Sequence, residues 1–528
     1  MNIGKMIHKL RSRAAMSQEQ FAELFDVSRQ SVQKWESGVS TPELEKLVKI
    51  AKYFDVSLDT LLLESDTRIT EELTFHKALK PKYANLHSWE SYAANLLTEY
   101  RQATEEGLDL EAYADVFDSV SRLPMSEIKE KLGDVLFELV LNAKTKESYP
   151  YVEPSTLEEI RNLRKPAPAL PPVDREQLED KIYGAWLGRI CGCMLGKCVE
   201  GIRTDELIPL LQETGNYPMH RYICRSDLRD EMMDKYNFRL HGRCFVDDGE
   251  GMPVDDDTNY MVLAQEVVEK YGRDFTSYDM SRAWLDLQKK DAYCTAERVA
   301  FCNFVKGYEP PDSAIYKNPY REWIGAQIRG DYFGYINPGN PELAAQMGFR
   351  DASISHIKNG IYGEMLASAM IAAAACTQDI PTIIRNGLAQ IPHTSRLYEA
   401  VSDVLTGWEQ GVSQEECFAD IHTRYDEHNA HDWCHTISNA MIVVASLLYG
   451  AGDYGKSICM SVETGFDTDC NGATVGSVLG MAKGSACIGG EWSKPINDIL
   501  HTSIFGVGTV SITECARKTM THLADGIR

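Results

Sequence analysis

A stripe of glycines constrains the fold of this chain more than any other feature of its sequence. Gly472, Gly476, Gly480 and Gly484 recur at intervals of four, a spacing that lines one face of an α-helix. Each costs about 1 kcal/mol in a helix interior relative to alanine. Four in register therefore mark a smooth face suited to close approach by another helix or a ligand. The segment from Gly184 to Gly201 also repeats glycines along a helical stretch, with Glu200 at its end, and taken alone it reads as a close-packed core helix. Gly360 and Gly363 lead into LASAMIAAAAC, a third helical run rich in small residues. No alternating strand pattern of any length accompanies these helices, so the fold class expected is all-α.

A chain of 528 residues is too long for one ordinary core and should divide into two or three domains. The expected layout is a small five-helix domain over residues 1–66, a helical connecting region over 67–163, a Pro-rich stiff spacer over 164–173 and a large all-helical domain over 174–528. The net charge of −24 argues against coating of nucleic acid or adhesion to anionic membranes. Residues 1–65 hold nine Lys/Arg and nine Asp/Glu, so the acidic surplus lies downstream and any contact with DNA must be local. The fourteen cysteines lack paired CxxC spacing, and the first residues are polar rather than a signal core. Reduced thiols in a cytoplasmic protein are expected. Apolar stretches such as Met441–Tyr449 are well short of the ~20 residues that span a bilayer.

Near the N-terminus, Ser17 and Ser28 can each cap a short helix, with Gln20 and Ser31 three residues on. Phe21, Ala22, Leu24 and Phe25 are expected to pack inward, Val32 and Trp35 to pin the second helix, and Pro42 to start the next. Arg29, Gln30, Gln33 and Lys34 are then left pointing outward, and with Gln18 they suit base edges and phosphates in a major groove. The order of motifs over residues 3–65, including the W-E-S-G turn, resembles the Cro/repressor type of helix-turn-helix domain. The resemblance implies double-stranded DNA as a partner and, for reading two half-sites, a homodimer.

The chemistry concentrates in two acidic segments. Asp255-Asp256-Asp257-Thr258 and Asp467-Thr468-Asp469-Cys470 each stand immediately before a helical run. Capping accounts for one aspartate per helix. Three adjacent carboxylates at one start and a D-x-D at another repel unless a cation intervenes, and an all-oxygen cluster suits Mg²⁺ or Mn²⁺.

Taken in order, Gly188–Glu200, Asp255–Thr258, His356 with Gly360 and Gly363, and Asp467–Cys470 resemble the motifs of the ADP-ribosylglycohydrolase family over nearly all of residues 174–528. The resemblance implies an all-α domain with two Mg²⁺ or Mn²⁺ ions held by Asp255, Asp256, Asp257, Asp467, Asp469 and Cys470. It also implies catalytic roles for Glu200, Asp256 and Asp257. Cys470 puts a thiol where a threonine often ligates, a poor partner for Mg²⁺, so the second ion is expected to be bound differently or more weakly. Gly325, Gln327, Tyr332, Phe333, His356 and Gly360 fall where the family contacts ADP-ribose, with Tyr332 or Phe333 as a stacking surface for adenine. For Tyr332 and Phe333 a core turn is the alternative, and for His356 a packing role. His435 and Asn439 suggest either a site or a join between helices. The implied activity is hydrolysis of the ribosyl bond of ADP-ribosylated acceptors. A nucleotide-sensing regulator with little turnover and a hydrolase of another riboside remain as alternatives.

Overall fold

The computed structural model of the protein describes residues 3–54, 56, 58–62, 81–236 and 239–524; the boundary expected after residue 66 lies outside the described residues. The chain divides into two units, Met1–Asn85 and Leu86–Arg528. Both are helical, and the strands among the described residues are β1 (Ile499–His501) and β2 (Thr509–Ser511), paired antiparallel in the larger unit. The all-α expectation holds. No helix among the described residues is long and apolar enough to cross a membrane, and all fourteen cysteines are free thiols.

The smaller unit consists of α1 (Ile3–Arg13), α2 (Gln18–Leu24), α3 (Arg29–Glu36), α4 (Leu44–Tyr53) and α5 (Leu58–Leu62). Ser17 Oγ accepts the Gln20 N–H at 3.2 Å while Gln20 Oε1 accepts the Ser17 N–H at 2.8 Å, so each end of this box satisfies a backbone donor that α2 leaves free. Ser28 Oγ accepts the Ser31 N–H at 3.1 Å and starts α3. Phe21, Ala22, Phe25, Val32 and Trp35 share one core with Ile7, Leu47 and Ile50. Two expectations are corrected. Leu24 is 42% exposed, because 100° steps carry it off the stripe centred on Phe21, Ala22 and Phe25. Pro42 does not start a helix: α4 begins at Leu44 with Glu43 as its N-cap, and Pro42 is buried in the approach to it.

The larger unit opens with α6 (Leu96–Glu105), α7 (Ala114–Ser121) and α8 (Glu127–Asn142) around Tyr92, Leu96, Phe117, Leu136 and Phe137. Buried ion pairs join these helices to the rest of the unit. Arg321 Nη1 donates to both oxygens of Glu99 at 2.8 and 3.0 Å, and its Nε donates to Glu106 at 2.6 Å. Gln102 donates to Glu322 at 2.6 Å, and Arg396 bridges Glu322 and Glu153. The Pro-rich stretch 165–172 then runs without regular structure across the same unit, with Lys165 lying 5.1 Å over the Tyr398 ring. Removing one partner of a buried pair strands the other charges. Arg321→Met is therefore expected to cost about 3–5 kcal/mol, read as a lower denaturation midpoint for the larger unit with that of the smaller unit unchanged.

The two glycine stripes meet at the centre. Helices α9 (Leu178–Lys197) and α13 (Thr468–Lys483) run antiparallel, and their glycines face one another in pairs: Gly184 with Gly480, Gly188 with Gly476, Gly192 with Gly472. A Cβ built on Gly192 would stand 2.0 Å from the Gly472 carbonyl oxygen, and one on Gly476 would stand 2.1 Å from that of Gly188. The stripe thus serves close approach by a helix. Among the helices between them in sequence are α10 (Asp256–Tyr271), α11 (Arg396–Glu409) and α12 (Thr436–Tyr449). This backbone-to-backbone seam brings the first turn of α13 beside the last turn of α9, and the site is built there.

Candidate functional site

The two acidic segments, separated by about two hundred residues of chain, converge. Asp255 caps α10, its Oδ1 accepting the Asp257 N–H at 2.9 Å, while Asp467 and Asp469 open α13. One ligand atom from each of Asp257, Asp469 and Cys470 lies within 4.8 Å of the others, and the same holds for Cys193, Asp255 and Asp257. Asp255, Asp257, Asp467, Asp469 and Cys470 are buried, and Asp256 is half-buried. Helix N-termini favour negative charge, so both helices support their aspartates, but mutual repulsion works against them. Burial and the charges of Asp255 and Asp469 push the Asp256 carboxyl up to about 7. Burial raises Asp257 and Asp467 well above the carboxylate range, with neighbouring aspartates adding to it. Glu200 is exposed, yet it stands close enough for the Asp469 charge to be the largest cause of its raised pKa.

Cations of the protein answer part of this charge. Arg189, fully buried, donates to the Asp257 carbonyl at 3.0 and 2.9 Å, to Asp257 Oδ1 at 2.9 Å, to the Ile328 carbonyl at 2.6 Å and to Asp331 at 2.6 Å. Lys197 pairs with Asp255 Oδ2. Two buried oxygens, Asp257 Oδ2 and Asp469 Oδ1, have no hydrogen-bond partner among the described residues. Clustered buried carboxylates that each keep an orphaned oxygen, beside a thiol, fit a divalent cation, since an unpaired buried charge is otherwise costly. Around this centre, Asn439 Oδ1 accepts the Asp467 N–H at 3.2 Å and the Asn471 amide at 2.8 Å, and its Nδ2 donates to the Trp433 carbonyl at 2.9 Å. Asn439 therefore joins helices and positions Asp467. Arg203 lies 4.7 Å over the Trp433 ring, and its Nη1 and the Trp433 Nε1 are buried with no partner among the described residues.

The residues expected to contact substrate lie in the protein interior. Tyr332 and Phe333 are fully enclosed: the Tyr332 hydroxyl pairs with His522 Nδ1 at 2.6 Å, and Phe333 stacks on Phe275 at 5.5 Å. Neither presents a face to a base. Gly325, Gln327, His356 and Gly360 are also buried. Gly325 and Gln327 belong to the segment of the buried Arg329, which donates to Glu297 at 2.8 Å and to Asp351 at 2.6 Å. A Cβ on Gly325 would strike Glu297, so this glycine makes room for an ion pair. His356 Nδ1 pairs with Ser355 Oγ at 2.8 Å, and burial holds its pKa well below the usual value.

His435 and its neighbours form a separate cluster with Glu105 and His431. His431 Nδ1 accepts the Trp323 indole N–H at 3.1 Å and His435 Nδ1 accepts the Ile437 N–H at 3.1 Å. Each neutral ring then carries its proton on Nε2; that of His431 meets Glu105 Oε2 at 3.0 Å, while His435 Nε2 is buried with no hydrogen-bond partner among the described residues. Missed in the sequence were Arg189, Cys193 and Lys197. They recur at intervals of four, one residue after Gly188, Gly192 and Gly196, a signal that belongs to a second face of α9.

In the smaller unit, Arg29, Gln30, Gln33 and Lys34 are exposed along α3, with Arg29 pairing with Glu19 at 2.9 Å. Gln18 instead donates to Glu36 at 2.8 Å, and Arg11 also engages that carboxylate.

Comparison with known proteins gives two family matches: ADP-ribosylglycohydrolase over residues 174–525 and helix-turn-helix over residues 7–61. The HTH-type transcriptional activator BcrR of Enterococcus faecalis is 36% identical over 83 residues, which are 16% of this chain and 41% of that protein. An uncharacterized HTH-type transcriptional regulator, RC0668, of Rickettsia conorii is 39% identical over 57 residues, 11% of this chain and 46% of its own. The chain thus spans less than half the length of the curated relatives it matches. A solved ADP-ribosylglycohydrolase-related protein complex aligns with a TM-score of 0.41 at 17% identity, covering 66% of this chain and 98% of that one.

Proposed function

The chain belongs to the ADP-ribosylglycohydrolase family, and from that premise we propose that its larger unit is a divalent-metal-dependent hydrolase of ADP-ribosylated acceptors, carried behind a domain that reads double-stranded DNA as a dimer. The observation that carries this reading is the meeting of the Asp257 and Asp469 carboxylates, each with a buried oxygen that has no hydrogen-bond partner among the described residues, beside Cys470. These three would hold the ion, Mg²⁺ or Mn²⁺. When bound, such an ion polarises a sugar hydroxyl and lowers the pKa of an attacking water.

The remaining work falls to the protein. Arg189 fixes Asp257 by engaging Oδ1 and the carbonyl, leaving Oδ2 for the ligand. Glu200, exposed and raised in pKa by Asp469, supplies a proton to the leaving group or withdraws one from water as the ribosyl bond loosens through an oxocarbenium-like state. Arg203, stacked on Trp433 with a free Nη1, offers a planar donor for a phosphoryl oxygen. In the smaller unit, Arg29, Gln30, Gln33 and Lys34 supply the groove contacts.

The test is a panel of ADP-ribosylated protein, DNA and small molecules, incubated with the full chain and Mn²⁺ or Mg²⁺ and assayed chromatographically for free ADP-ribose. Release from at least one class is expected, abolished by chelator and faster with Mn²⁺, because a thiol among the donors disfavours Mg²⁺. No release from any substrate, combined with DNA binding that responds to ADP-ribose, would replace the hydrolase by a sensor.

A further inference from the structure

Two donor groups share Asp257: one with Cys193 and Asp255, the other with Asp469 and Cys470. They differ in what the protein has already done with their oxygens. In the first group, Asp255 Oδ1 accepts the Asp257 N–H at 2.9 Å and faces the Cys193 thiol at 3.3 Å. Asp255 Oδ2 pairs with the ammonium of Lys197, and Asp257 Oδ1 is held by Arg189 at 2.9 Å. No oxygen of Asp255 is without a partner. In the second group, Asp257 Oδ2 and Asp469 Oδ1 are both unpartnered in side chains that are 0% and 2% exposed.

We propose that this chain binds a single divalent ion, at Asp257, Asp469 and Cys470, and that the Lys197 ammonium beside Asp255 takes the place of the second cation that the family resemblance implies. The proposal rests on the metal-dependent reading above. Lysine is a compact point charge with three donors on a flexible stem, so it can neutralise Asp255 without the fixed geometry that a second ion would demand. Its side chain remains 19% exposed. The register of α9 sets this arrangement: Lys197 follows Gly196, whose contact with the Thr468 and Asp469 backbone holds the ammonium at the edge of the acidic cluster.

The experiment is metal stoichiometry on the full chain, stripped with chelator, titrated with Mn²⁺ by calorimetry and checked by elemental analysis and electron paramagnetic resonance. Wild type is expected to bind one equivalent and give the six-line spectrum of an isolated Mn²⁺. Lys197→Ser is expected to bind two, with the exchange-coupled spectrum of a neighbouring pair. Lys197→Met, which keeps the stem, serves the same purpose if the serine variant is unstable. Two equivalents in wild type overturn this inference and leave the metal-dependent reading standing. One equivalent in both lysine variants also overturns it, because something other than the ammonium then excludes the second ion. No binding at all by wild type overturns the underlying reading and this inference with it.

Discussion

Asp469→Ala is expected to lower kcat/KM for ADP-ribose release by about 10²–10³-fold or more while leaving DNA binding by the N-terminal unit unchanged in a gel-shift assay. Asp469 sits in the first turn of α13 with Oδ1 unpartnered, and it is the group whose charge most raises Glu200. On the proposed reading its removal takes away a donor to the ion and the charge that most raises Glu200. The stability result separates this functional role from a structural one. In the metal-free protein the aspartates repel one another, and burial with the charge of Asp255 raises Asp469 itself. Removing one of them relieves that repulsion, so the metal-free variant should melt at or above the wild-type temperature. Wild type should gain stability with added Mn²⁺, by about 2.7 kcal/mol at a hundredfold excess over Kd, and the variant should not. A variant that loses activity and also melts markedly lower without metal would point to a structural aspartate.

Parts of this design are visible in the sequence for a physical reason. Groups that act together and are adjacent in the chain, such as Asp255, Asp256 and Asp257, betray themselves by crowding like charges where capping needs only one. The α13 stripe is equally visible, since glycine at every fourth position has a cost that only close contact offsets. What escaped depends on tertiary placement. Arg189, Cys193 and Lys197 look like an ordinary helix face until Asp255 and Asp257 are set against them. The run from Gly325 to Phe333 combines glycine, amide and aromatic groups in a manner that suits a nucleotide, yet the buried Arg329 and its partners Glu297 and Asp351 organise it. A short 3₁₀ turn, Gln327–Arg329, followed by the helix Asp331–Tyr335, sends both aromatic rings into the core, and no spacing rule distinguishes that outcome. The association of α6 with the rest of the larger unit was hidden likewise: Glu99, Gln102 and Glu106 follow a helical period, but only Arg321 and Glu322 explain why polar groups recur on a buried face.

Gly196→Ala tests whether the glycine seam governs chemistry as well as stability. Alanine favours a helix interior over glycine by about 1 kcal/mol, so where space exists the substitution stabilises. Gly407 in α11 is such a place: an added Cβ would meet nothing nearer than a Val412 methyl at 3.6 Å. Gly407→Ala should accordingly raise the melting temperature slightly. At Gly196 the same methyl would stand 2.3 Å from the Asp469 nitrogen and from the Thr468 carbonyl, inside any permitted contact and against backbone that has no rotamer to change. The Thr468 hydroxyl also donates to the Gly196 carbonyl at 2.9 Å, so the two helices cannot part there without losing that bond. Overpacking of this kind costs about 1–3 kcal/mol, occasionally more, which outweighs the propensity gain. The displaced atoms belong to the turn that carries Asp469, and a shift of about 1 Å at a reacting centre can cost about 10²-fold in rate. Gly196→Ala should therefore lower kcat by about that factor at temperatures where the chain is still folded. Gly480→Ala, at the far end of the same seam, should lose comparable stability with far less effect on kcat. Equal losses of kcat in the two variants would mean that the seam supports the fold alone and does not set the position of Asp469.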